Sequence, residues 1–118
     1  MEKEFVIYEL AVKLKELGFN EPCFGYYSDS ELVFNTHTNN EMQRFRYSAP
    51  TFSQAFRWFR EKYGLDNWVY KSRDYTYFCS ILKDGNLFPS IGFTTYEEAE
   101  LECLEKLIEI VEGIESQK

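Results

Sequence analysis

Ala49-Pro50-Thr51-Phe52-Ser53-Gln54-Ala55-Phe56-Arg57-Trp58-Phe59-Arg60-Glu61-Lys62-Tyr63-Gly64 is the most legible segment of this 118-residue chain. Pro50 pushes Ala49 into extended backbone. Thr51 then stands where a helix cap belongs, and Gln54 three residues on completes a capping box. Phe52, Ala55, Phe56, Phe59 and Tyr63 recur at helical spacing as one apolar stripe. Gly64 supplies a left-handed stop. Trp58 lies roughly 60° outside the stripe by helix geometry, which places it at the edge of the core or beyond it.

On the N-terminal side, Val6, Ile7, Leu10, Leu14 and Leu17 share a stripe, so a first helix is predicted from Glu4 to Leu17. Gly18 is its left-handed terminator, and Phe19 can fold back onto the last turn. Pro22 blocks further helix. Cys23–Ser28 and Glu31–Thr36 read as two short strands around a Ser28-Asp29-Ser30 turn. Thr36 to Glu41 is a polar loop containing His37, and Met42–Tyr47 has the pattern of a further strand.

On the C-terminal side, strands are predicted near Asn67–Arg73 and Tyr75–Lys83. Asp84-Gly85 is a tight-turn signal, and Pro89 confines any strand after it to an edge. Thr95 with Glu98 makes a second capping box, opening a helix that runs to Glu112 and stops at Gly113. Its apolar residues Ala99, Cys103, Leu104, Leu107, Ile108, Ile110 and Val111 cover about 200°, wider than the ~100° stripe of a simple surface helix. Either this helix is sandwiched within the fold or it also packs on a second subunit. The element order is α-β-β-α-β-β-α. Short connections imply antiparallel pairing. The expected fold is α+β: a two-layer sandwich with one antiparallel sheet of about four to five strands and three helices, as a single domain over residues 1–118.

Aromatic residues make up 19% of the chain, with 11 Phe, 9 Tyr and 2 Trp. Each ring buries about 150–250 Å², so a core is available without disulfides or metal. Cys23, Cys79 and Cys103 are odd in number and far apart, and no basic-then-apolar leader opens the sequence. Reduced, buried thiols in a cytoplasmic protein are the expectation, with no membrane association. The net charge is −7, and it is unevenly distributed. Residues 42–84 carry eight Lys/Arg against four acids, a local +4, while the rest carries five lysines against sixteen acids, −11.

Ser48 to Leu65, Leu17-Gly18-Phe19-Asn20-Glu21-Pro22-Cys23 and Thr95-Tyr96-Glu97-Glu98-Ala99-Glu100-Leu101-Glu102-Cys103-Leu104 together resemble a group of short proteins from gut Bacteroidetes and their phages or prophages. The similar spacing extends over most of the chain. That group has no assigned activity. The resemblance therefore implies an accessory protein of a bacterium or mobile element, acting in the cytoplasm, and carries over no catalytic residue.

The inventory for chemistry is thin. A general base at His37 needs a nucleophile and an orienting group in reach, and the sequence nominates neither. His37 and three scattered cysteines lack the close paired spacing of structural zinc sites. No glycine-rich phosphate loop or nucleophile elbow occurs. Glu102, Glu105, Glu109 and Glu112 fall opposite the apolar arc, as the solvated face of a helix does.

What remains is a set of cations interleaved with rings: Arg44, Arg46, Arg57, Trp58, Tyr70 and Arg73, with Tyr75 and Tyr77. In the strands, alternation puts Tyr75, Tyr77, Cys79 and Ile81 on one face and Thr76, Phe78, Ser80 and Leu82 on the other. If helices cover one face, the other carries rings into solvent. Those rings are open to three readings: tyrosines exposing their hydroxyls, a protein interface, or a stacking platform for nucleotides or nucleic acid. The acidic total weighs against the last. The leading expectation is a non-enzymatic protein, without cofactor, that binds a protein partner or forms a homodimer through the open sheet face or the edge at Trp58.

Overall fold

The computed structural model describes residues 2–42, 45–90 and 92–116. Three helices and two antiparallel sheets make a mixed α+β fold in the expected order. The elements are α1 (Tyr8–Glu16), β1 (Cys23–Ser28), β2 (Glu31–His37), β3 (Arg46–Ser48), α2 (Phe52–Tyr63), β4 (Asp66–Lys71), β5 (Tyr77–Lys83), β6 (Asn86–Leu87), β7 (Gly92–Phe93) and α3 (Tyr96–Ser116). Short 3-10 turns cover Glu2–Glu4 and Asn39–Glu41. The chain forms two compact units, Met1–Ala55 and Phe56–Lys118, divided inside α2.

The strands form two sheets, β2-β1-β3 and β4-β5-β6 with β7 also on β5, where a single sheet was expected. Each hairpin finds its third strand locally. β3 returns to β1, and the pieces flanking Pro89 return to β5. Pro89 interrupts that last edge, so β7 pairs with β5 alone.

In the first unit, the helix begins later than its apolar spacing suggests. Phe5 bridges to Thr51, and the Val6 N–H donates to the Pro50 carbonyl at 2.8 Å. Residues 5–6 are therefore paired as extended backbone, a conformation that β-branched Val6 favours. The end of α1 follows the sequence. Gly18 has φ 95°, Phe19 N–H donates to Leu14 O at 3.0 Å and Gly18 N–H to Lys15 O at 3.0 Å, which is the Schellman pattern. Phe19 is buried as a result.

The core of this unit is aromatic. Phe5, Ala11, Tyr27 and Ala49 pack with Tyr8, Leu32 and Tyr47. Tyr8 meets Tyr27 and Tyr47 edge-on at 5.6 and 5.8 Å. The buried Tyr27 hydroxyl donates to Val6 O at 2.7 Å, so its area is gained without an unpaired polar group. Gly25 sits where a Cβ would press on Leu32, on the Val33 carbonyl and on the Phe5 ring at 3.2–3.4 Å. Buried Asn39 donates to Phe19 O and accepts from Ser48 N–H, both at 2.7 Å. That side chain ties the polar connection after β2 to two core segments.

The strand expected over Met42–Tyr47 lies at Arg46–Ser48, and residues 43 and 44 are outside the described residues. His37 closes β2, with its ring edge-on to Tyr26 at 5.6 Å, and so is packed on the sheet instead of standing in a loop. The capping box of α2 is present. Thr51 N–H donates to Gln54 Oε1 and Gln54 N–H to Thr51 Oγ1, both at 3.2 Å.

In the second unit α3 packs across β5, β4 and β7. Ala99, Cys103, Leu104, Leu107, Ile108 and Val111 are buried, and Ile110 is half-buried. Leucines buried in this way each contribute about 1.5–3 kcal/mol. Thr95 Oγ1 accepts the Glu98 N–H at 3.1 Å and caps the helix as expected. The expected stop at Gly113 is wrong, and α3 continues to Ser116. The extra turn is anchored by the Tyr63 hydroxyl, which donates to Glu115 at 3.2 Å. A glycine permits a left-handed stop without requiring one.

Candidate functional site

Antiparallel register sorts the second sheet into two faces. The pairs Asn67–Ile81, Val69–Cys79 and Lys71–Tyr77 lie on one face, and Asp66–Leu82, Trp68–Ser80 and Tyr70–Phe78 on the other. α3 takes the first face: Asn67 Nδ2 donates to Cys103 Sγ at 3.6 Å, and Tyr77 is edge-on to Tyr96 at 6.1 Å. The second face carries the exposed rings. Trp68 is 43% and Tyr70 41% exposed, and Tyr70 stacks on Phe78 with centroids 5.7 Å apart. Leu82 pairs with Leu87, which is 62% exposed and extends the apolar surface toward the Asp84-Gly85 turn. Opposite Phe78 stands Gly92, where a Cβ would meet the Thr76 methyl at 2.6 Å and the Phe78 ring at 3.2 Å. The Phe78 ring thus lies against bare backbone. Among the described residues no strand pairs with the outer edge of β4.

This face brings together only one of the residues singled out in the sequence, Tyr70. Tyr77 is on the opposite face, beneath α3. Tyr75 was expected within a strand. It stands instead in the β4–β5 turn with φ 65° and is 75% exposed. Ser72 N–H donates to Thr76 O at 2.8 Å and ends the ladder there. Arg73 is exposed in the same turn, where Asp74 accepts the Ser72 hydroxyl. That hydrogen bond lowers the Asp74 pKa.

Trp58 corrects the expectation of an edge contact, because it is buried at 7% exposure. A large ring placed beside the stripe can fold back along its own helix. It meets Phe59 at 5.0 Å and Tyr63 at 5.5 Å, with the Lys62 ammonium 5.1 Å above it. Arg57 is exposed and pairs with Glu61 at 3.5 Å. Arg46 belongs to the other unit, 5.6 Å over the Tyr26 ring, and Arg44 lies outside the described residues.

Several cations of the basic middle segment are exposed but have partners within their own unit. Besides Arg57 and Lys62, Lys71 stands 4.7 Å over Tyr75 and 5.8 Å over Tyr77. Lys83 donates to Tyr63 O at 2.8 Å and pairs with Asp84 at 3.8 Å. The open face supplies no Lys or Arg from β4 or β5: its residues are Asp66, Trp68, Tyr70, Phe78, Ser80 and Leu82. The residues missed from the sequence, Trp68 above all, were accessible to the same alternation that separates Tyr77 from Phe78. Trp68 has the parity of Tyr70, and pairing register was the missing piece.

Among the described residues no group of three His, Cys, Asp or Glu side chains is placed to hold a metal ion. None of their helices is long and apolar enough to cross a membrane. No protein-family model, curated protein or solved structure matches the chain.

Proposed function

We propose that the chain is a non-enzymatic binding protein whose contact surface is the open face of the second sheet, and that its partner is a protein. The observation that carries this reading is the juxtaposition of half-exposed Trp68 and Tyr70 with Phe78, Leu82 and Leu87. Large rings beside aliphatic side chains are the composition of interface centres. A nucleic-acid platform needs cations beside its rings to neutralise phosphates, and this face has none from its two long strands. An accessory role in a bacterium or its phage, in the cytoplasm, rests on the sequence resemblance alone.

The test is Trp68→Ser with Tyr70→Ser. Wild type and double variant are compared by affinity capture from host lysate and by sedimentation over a range of concentrations, with circular dichroism as the folding control. The expected result is loss of a retained protein, or of self-association, in a folded variant. Undiminished capture and unchanged sedimentation in a folded variant overturn the reading. Single-stranded DNA binding that falls steeply with salt would replace it with nucleic-acid recognition.

A further inference from the structure

Hydrogen-bond direction in the second sheet shows what the free edge of β4 offers. Ser72 N–H donates to Thr76 O at 2.8 Å, and that pair continues the β4–β5 register. On the far side of β5, Phe88 N–H donates to Ile81 O at 2.9 Å. In an antiparallel ladder, successive residues bond alternately toward one neighbour and toward the other. Both bonds give the same parity. Phe78, Ser80 and Leu82 bond toward β4, and their register partners Tyr70, Trp68 and Asp66 bond toward β5. Asn67, Val69 and Lys71 therefore turn their N–H and C=O groups outward, to an edge with which no strand pairs among the described residues.

An exposed strand edge is a template for another strand unless proline, a bulge or charge blunts it. β4 keeps an uninterrupted register with β5 from Asp66 to Lys71, contains no proline, and carries one acid and one base, at opposite ends. Its sequence is complementary to itself. When two copies of β4 run antiparallel about a two-fold axis at Val69, Asn67 meets Lys71 of the second copy and Val69 meets Val69. All the outward groups are then used, because each such pair exchanges both of its hydrogen bonds. Between these pairs, Cα atoms come within about 4.5 Å. There Trp68 of each copy stands opposite Tyr70 of the other, on the open face. Aromatic cross-strand pairs stabilise sheets, and both rings are half-exposed in the single chain. The Asp66 end lies beside the Lys71 end of the second copy, so opposite charges meet and like charges do not. Slipping the register by two residues loses this fit. One slip sets Lys71 against Leu65, whose N–H is already given to Phe59 O at 3.3 Å, and the other sets Asn67 against Arg73 in the turn.

We propose that the partner of the open face is a second copy of this chain, joined edge to edge through β4 in the register centred on Val69. The two four-stranded sheets then form one sheet with a continuous aromatic face. This inference rests on the reading of the open face as a contact surface and narrows its partner to the chain itself.

The test uses the whole isotopically labelled chain. Sedimentation over a range of concentrations is expected to show a monomer–dimer equilibrium. Amide hydrogen exchange read by NMR should gain protection with concentration at Asn67, Val69 and Lys71, while Trp68 and Tyr70 are protected throughout. Lys71→Pro removes an outward N–H and no bond to β5, at a position where edge strands accept proline. It deprives the dimer of one hydrogen bond from each copy and should raise the dissociation constant roughly 10- to 100-fold, with circular dichroism unchanged. Undiminished association of the folded Lys71→Pro variant overturns the proposal. So does a dimer in which the Asn67, Val69 and Lys71 amides exchange as freely as in the dilute chain. A chain that stays monomeric at every concentration yet loses a captured protein on Trp68→Ser with Tyr70→Ser overturns this inference alone, and the open face stands as a site for a different protein. The exchange pattern of the unsubstituted chain is decisive whether or not Lys71→Pro folds.

Discussion

Two hairpins in this protein close with the same backbone and different residues, which makes a matched test of backbone strain. Asp29 and Ser30 join β1 to β2 with φ 52° and 67°, and Asp84 and Gly85 join β5 to β6 with φ 52° and 80°. In both, two residues separate the paired strand ends, Ser28–Glu31 and Lys83–Asn86. These are two-residue hairpin turns with both central residues left-handed, the conformation for which Asp-Gly is favoured. A non-glycine residue there costs about 1–2 kcal/mol through crowding of its Cβ. Replacing it by glycine removes that cost and adds about 0.5–1 kcal/mol of lost chain entropy.

Ser30→Gly is therefore expected to stabilise the fold by about 0.5–1 kcal/mol, and Gly85→Ser to destabilise it by a similar amount. Gly85 has no atom within 4 Å of an added Cβ, so the second substitution reads backbone strain without a clash. With an unfolding entropy of about 2.1 cal/mol/K per residue, either change moves Tm by roughly 2–4 °C. Thermal unfolding followed by circular dichroism reads both, and urea unfolding should show shifted midpoints at constant slope. The reasoning is refuted if Ser30→Gly lowers Tm, or if both substitutions shift it in the same direction.

Two further outcomes follow from local geometry. Gly92→Ala places a methyl 2.6 Å from the Thr76 methyl and against Phe78. Overpacking costs about 1–3 kcal/mol, more than the glycine entropy recovered, and it should quench protection of the β5–β7 amides in hydrogen exchange; a neutral variant would show that this two-residue edge yields freely. Thr95→Ala should cost about 1 kcal/mol at neutral pH through loss of the α3 cap, read by urea unfolding. The Thr94 and Thr95 hydroxyls donate to Glu98 at 2.7 and 2.9 Å and hold its carboxyl below the ordinary range. A depressed folded-state pKa contributes stability above the unfolded value near 4.3, lost as pH falls through the folded pKa. The difference between Thr95→Ala and wild type should accordingly narrow below about pH 4, and a difference that widens with acid contradicts the assignment.

The chain's local grammar was readable because its causes are local. Pro50, Thr51 and Gln54 define where α2 begins, Gly18 and Phe19 how α1 ends, and Asp84-Gly85 where β5 turns back. Each depends on atoms within a few residues. The misplaced boundaries share the opposite property. α1 starts late because residues 5–6 pair with Pro50 and Thr51, and α3 runs past Gly113 to an anchor offered by Tyr63.

The candidate site divides in the same way. Alternation alone separates the rings of β5 into two sets, but it cannot say which set a helix will cover or which β4 residues stand beside the exposed one. That choice was made when Cys103 and Tyr96 of α3 settled on Asn67 and Tyr77, leaving Trp68 and Tyr70 outside. Trp58 went the other way, because a ring placed off the stripe still reaches its neighbours along the helix. Sequence alone determined the element types, caps, turns and charge distribution, all set by short-range sterics and hydrogen bonds. Tertiary structure decided which surfaces are bare, because burial is a competition among distant segments for the same apolar face.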